Sequence, residues 1–242
     1  MLSVILNMKL NLKIKLGDCT MFFLLLFISV VFYGILFNLI LDNDTSAYKM
    51  LKVSPLSVFL LTFLFFLNAG FCLNMDNKIL QVLACLCLCV LLLNAYCDQK
   101  TKLVYRIYNI LYIFLCTIYG IASMFLLHYS IEQIIAIGLT WIGTIIIVLL
   151  LSSGKIKIFH TMGLGDGLAL IGTSIFLLSF IHQDGYFPVE YILVHFIMAT
   201  VFMVICTIHK FDFKHMKFKE DVAFLPYIYV SIFITAIIFL SI

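Results

Sequence analysis

The chain has 242 residues, 64% of them hydrophobic and 11% charged, with a formal net charge of +3. A water-soluble domain does not carry that balance. Apolar runs of about 20 residues without period-2 alternation exclude a transmembrane β-barrel.

The predicted elements run as follows. Residues 1–20 mix Leu, Asn, Lys and Ile and form a tail, either interfacial or upstream of a true start at Met21. Eight apolar spans follow, at about 21–41, 55–73, 79–97, 107–127, 133–151, 167–182, 189–208 and 222–242. The sixth is short, as expected of a helix that begins inside the membrane at Asp166. No loop exceeds about fifteen residues, so no soluble domain fits between the spans. The expected fold class is all-α: a polytopic helical membrane protein of about eight transmembrane helices, with one domain over 21–242.

Loop charge gives the expected orientation. Loops 42–54, 98–106, 152–165 and 209–221 carry eleven Lys/Arg, whereas 74–78, 128–132 and 183–188 carry only Lys78. The first set is expected to face the cytoplasm. An even span count then puts both termini outside, in conflict with Lys9, Lys13 and Lys15 of the tail.

The eight cysteines contain no C-x-x-C pair. Cys85, Cys87 and Cys89 alternate within one span and read as apolar packing residues rather than a zinc or disulfide framework. No metal, cofactor or nucleic-acid partner is expected.

Two acids stand at span ends. Asp98 follows Asn94-Ala95-Tyr96-Cys97, and Asp166 follows Met162-Gly163-Leu164-Gly165. An ionisable group at membrane depth is costly, so one retained there is a candidate functional group. The loop charges place Asp98 at the inner end of the third span and Asp166 at the inner start of the sixth. The two then lie on one side at similar depth. Gly163 and Gly165 allow close backbone approach between these helices. Two carboxyls in one site, one ionised and one protonated, can hydrolyse a peptide bond. Helix direction suggests that Asp98, at a helix C-terminus, holds the shared proton and that Asp166, at an N-terminus, is the base. Taken singly, Asp98 also reads as a loop residue and Asp166 as a helix cap.

The sequence resembles the type IV prepilin peptidases, membrane aspartyl proteases with a G-x-G-D motif. Gly163-Leu164-Gly165-Asp166 is similar to the second-aspartate motif. Asp98-Gln99-Lys100-Thr101-Lys102 is similar to the first, an aspartate at a span end followed by a short basic turn. Phe224-Leu225-Pro226-Tyr227 is similar to the segment opening the last span, and Gly34-Ile35-Leu36-Phe37-Asn38 is a fainter likeness. The resemblance implies Asp98 and Asp166 as catalytic residues, with Gly163, Gly165, Phe224 and Pro226 supporting them. It implies a prepilin or pseudopilin substrate, whose short basic leader is cut at the cytoplasmic face of the inner membrane. The chain has Val104-Tyr105-Arg106 where the family has Ile-Pro-Asn, and Gly167-Leu168-Ala169 where it has Val-Lys-Leu. Loop 42–54 lacks the family's cysteine pairs, so the resemblance implies a peptidase without N-methylation. The sequence names neither substrate-binding residues nor an oligomeric state.

Other polar residues within spans have structural readings. Asn38, Asn68, Asn94, Asn109 and His195 are expected to hydrogen-bond between helices. Without H-E-x-x-H or G-x-S-x-G, the chain is not a metalloprotease or serine protease of those types. Two other readings remain: a proton-coupled transporter, which should show inverted repeats and midplane charges, and a catalytically silent assembly factor of a pilus or secretion system.

Overall fold

The computed structural model describes residues 16–43, 51, 54–75, 77–102, 105–152, 164–180, 188–208, 211–212, 217–218 and 222–240. Eight α-helices stand among them. They are α1 (Leu16–Asn43), α2 (Pro55–Cys72), α3 (Lys78–Thr101), α4 (Arg106–Leu126), α5 (Ile131–Ser152), α6 (Leu164–Phe180), α7 (Pro188–Thr207) and α8 (Leu225–Leu240). Between α7 and α8 a two-stranded antiparallel ribbon pairs β1 (Phe211–Asp212) with β2 (Lys217–Phe218), where the sequence suggested only a loop. The protein is a helical membrane protein. Helices α1 to α5 are each long and apolar enough to cross a bilayer, while α6, α7 and α8 contain shorter apolar stretches.

Why α3 lies at the centre follows from its sequence. Apart from Gln81 and Asn94, it is apolar around its whole circumference from Leu80 to Cys97, and a helix of that kind is stable only when surrounded. Its apolar stretch is 72% buried, against 11% for that of α5. Helices α1, α2, α4, α6 and α8 all touch it. Cys85 and Cys89, four residues apart, share the face toward Ser29 of α1, and Cys87 points away from it; all three are fully buried. Cys85 Sγ lies 2.8 Å from Ser29 Oγ of α1.

The outer surface is apolar. Leu56, Phe59, Ile107, Phe125 and Ile131 are exposed large side chains on three different helices. In water this area would be strongly unfavourable; in lipid it is the expected contact surface.

Two helix ends differ from the sequence expectation. Helix α1 starts at Leu16, inside the supposed tail, and residues 1–15 lie outside the described part. Helix α3 continues four residues past 97, so Asp98 sits in a helical turn and not in a loop. The Thr101 hydroxyl donates to the Cys97 carbonyl at 2.8 Å, and the Lys102 N–H donates to the Asp98 carbonyl at 2.9 Å. Gln99 and Lys100 are good helix formers, and Lys100 complements the helix C-terminus. Lys102 then adopts a left-handed conformation (φ 56°) that turns the chain toward α4. Glycine usually occupies such a cap.

Helices α4 and α6 run in the same direction. Asn109 meets Gly165, Tyr112 meets Gly172 and Thr173, and the rings of Tyr119 and Phe176 lie 5.0 Å apart. Gly172 is required here: a Cβ on it would stand 2.6 Å from Tyr112 Cδ1. The Tyr112 hydroxyl lies 3.1 Å from Thr173 Oγ1, fixing the ring against α6.

Candidate functional site at the helix ends carrying Asp98 and Asp166

Both aspartates are buried, Asp98 at 5% exposure and Asp166 at 8%. Their placement at one end of the bundle follows from packing alone. Helix α3 ends just after Asp98, at Thr101, and α4 begins at Arg106. Helix α4 is parallel to α6, whose first turn holds Asp166. Helices α3 and α6 also touch each other directly. Helix packing thus puts Asp98 and Asp166 at the same end of the bundle.

A chain of amides joins the two ends. Asn94 lies one turn before Asp98, on the same face of α3. Its Nδ2 donates to Asn109 Oδ1 of α4 at 2.9 Å. Asn109 Nδ2 donates in turn to the Gly165 carbonyl at 2.8 Å, immediately before Asp166. Asn109 is fully buried and Asn94 nearly so. In an apolar surround each such bond is costly to lose, because a buried amide without a partner retains its full desolvation penalty. The sequence marked both asparagines as interhelical, and they are. Asn68 behaves likewise, accepting from the Tyr229 hydroxyl at 2.7 Å. Asn38 does not: it faces outward on α1 and is exposed.

The third contributor to the site is the start of α8. The Leu225 N–H donates to Asp98 Oδ2 at 3.1 Å. Local chemistry explains the geometry. Pro226 is the second residue of α8, where a missing N–H is harmless and the fixed φ suits a helix start. Phe224 is buried beside it, and its carbonyl accepts from the N–H groups of Tyr227 and Ile228 at 3.0 and 3.2 Å. Leu225 is thus held with its N–H available to Asp98. Phe224 and Pro226 flank that N–H in the chain.

This contact changes the electrostatic reading. The sequence argument counted only the negative end of α3 at Asp98. The positive end of α8 also faces that carboxyl, so helix ends of both signs meet there. Helix direction by itself does not choose which aspartate holds a shared proton.

Gly165 belongs to the site through its carbonyl. Gly163 lies outside the described residues. His195 lies on α7, away from the aspartates in sequence and partner. It is buried, and its Nδ1 lies 3.0 Å from Ser231 Oγ of α8, the interhelical role expected of it. Among the described residues, no group of three or more His, Cys, Asp or Glu is arranged to hold a metal ion.

Two buried carboxyls at one end of a helical bundle, beside a basic turn, are equipped for acid–base chemistry on a polar substrate entering from that end. No protein-family model, no curated protein and no solved structure matches the chain.

Proposed function

We propose that the protein is a membrane aspartyl endopeptidase of the prepilin-peptidase type, with Asp98 and Asp166 as its catalytic pair. The observation that carries this reading is the burial of both acids at the same end of the bundle, joined through Asn94, Asn109 and Gly165. In the proposed reaction one carboxylate takes a proton from water. The other, protonated, polarises the scissile carbonyl and stabilises the developing oxyanion. The substrate is a prepilin or pseudopilin whose basic leader is cut just before its hydrophobic helix. In this reading all eight helices cross the inner membrane, and the loops rich in Lys and Arg, with the active site, face the cytoplasm.

The test is direct. A membrane preparation of the wild type is incubated with a prepilin, and leader loss is followed on a gel. Asp98→Asn and Asp166→Asn should each abolish cleavage while inserting normally. Substantial cleavage by either variant removes the aspartyl-protease reading. Wild-type protein that leaves a panel of prepilins uncut would favour an assembly factor. Proton-coupled solute uptake by the wild type, lost in both variants, would favour a transporter.

A further inference from the structure

We infer that Asn109 is a positioning residue that sets the separation of the two aspartates, with Asn94 holding it in place. This rests on reading Asp98 and Asp166 as an interacting pair.

The inference follows from connectivity. Asp98 and Asp166 belong to helices that meet mainly through α4. Of the described α4 residues, Asn109 is the one whose side chain hydrogen-bonds toward both. It accepts from Asn94 of α3 and donates to the Gly165 carbonyl of α6. Each bond ends within one helical turn of an aspartate: Asn94 lies four residues before Asp98, and Gly165 immediately precedes Asp166. The Gly165 carbonyl belongs to the peptide unit linking Gly165 to Asp166. A peptide unit is planar, so holding its oxygen also fixes the plane from which Asp166 projects. A single buried amide therefore spans the gap between both acid-bearing segments.

Further along the same interface, Tyr112, Gly172 and Thr173 lock α4 against α6 sterically. That lock fixes the helices as bodies. It lies two turns of α6 beyond Gly165, whereas the Asn109 bond acts at the turn that carries Asp166. Reactive groups must be held to a fraction of an ångström, and buried polar bonds around them supply that precision.

The test reads the coupling of the two carboxyls without requiring catalysis. A hydrophobic carbodiimide labels protonated carboxyl groups at membrane depth, and mass spectrometry of peptides quantifies the adduct on Asp166. In an interacting pair, Asp98→Asn changes the Asp166 labelling rate at fixed pH, by about tenfold for groups that interact by about one pH unit. Asn109→Leu keeps approximate side-chain size and removes both bonds. In that background Asp98→Asn should change the rate by less than about twofold. Asn94→Leu leaves the Asn109–Gly165 bond and should give an intermediate change; it serves where Asn109→Leu does not insert. Asn68→Leu is the structural control. It breaks a comparable buried interhelical bond, to Tyr229, and should lower stability while leaving the coupling intact.

Coupling that survives both Asn109→Leu and Asn94→Leu overturns this inference and leaves the pair standing. Coupling that Asn68→Leu also abolishes overturns it too, by showing a general loosening. Labelling of Asp166 that ignores Asp98 in the wild type overturns the pair, and the inference with it.

Discussion

Gly172→Ala tests whether α4 and α6 are packed as closely as the structure has them. The added methyl would lie 2.6 and 2.7 Å from two carbons of the Tyr112 ring and 3.5 Å from Ile113 Cγ1. Carbon atoms need close to 3.5 Å or more, so the ring or the helix must move by about 1 Å. The ring cannot turn aside easily: Tyr112 is fully buried, and its hydroxyl is tied to Thr173. Overpacking of this kind costs about 1–3 kcal/mol, and losing the hydroxyl contact adds about 1 kcal/mol. Alanine's better helix propensity returns about 1 kcal/mol. The expected net effect is destabilisation by about 1–3 kcal/mol, measured by reversible unfolding in detergent. Gly138→Ala and Gly143→Ala are controls. Neither would meet anything within 4 Å, so each should be neutral or stabilising. Tyr112→Leu should be less harmful beside Gly172→Ala than alone, as expected for residues in contact. A Gly172→Ala protein as stable as the two controls would refute the close approach of these helices.

Two further outcomes are expected. Asp98→Leu should be less stable than Asp98→Asn by about 1–3 kcal/mol in the same unfolding assay, because asparagine can still accept from the Leu225 N–H and leucine strands it; equal stabilities would mean that α8 does not lean on this side chain. Cysteine-accessibility labelling in intact cells should reach positions in 98–106 and 209–221 only from the cytoplasm, and 183–188 only from outside; labelling of 98–106 from outside would reverse the proposed orientation and remove prepilin as a substrate.

The contact between Asp98 and Leu225 also bears on how the proposed pair would work. An aspartate that accepts from a helix N-terminus is oriented before substrate arrives. The opening segment of α8, with Phe224 and Pro226, thereby becomes part of the site although neither side chain carries reactive chemistry. Substitutions there should disturb Asp98 through the backbone. The N–H of Leu225 is the link between this segment and Asp98.

Composition and periodicity determined the class of this protein. A chain this apolar must satisfy its backbone within helices, so the eight helices could be placed from hydropathy to within a few residues at most ends. The two aspartates stood out because charge is costly in such surroundings, and loop charge already put them on one side. Helix ends were less legible: hydropathy stops at Cys97, whereas hydrogen bonding carries α3 to Thr101, since a polar turn at the membrane edge loses nothing by staying helical. What only the tertiary structure decided is which polar groups meet. Asn68, Asn94 and Asn109 find partners, while Asn38, on a similar apolar stretch, faces outward; that difference depends on which face each helix turns inward, and α1 offers no strong periodicity to reveal it. The amide chain from Asn94 to Gly165 and the N–H of Leu225 at Asp98 join segments from 15 to 127 residues apart in sequence. Such bonds form because helices packed through apolar faces leave their few polar groups no other partner, and that selection operates only once the bundle is assembled.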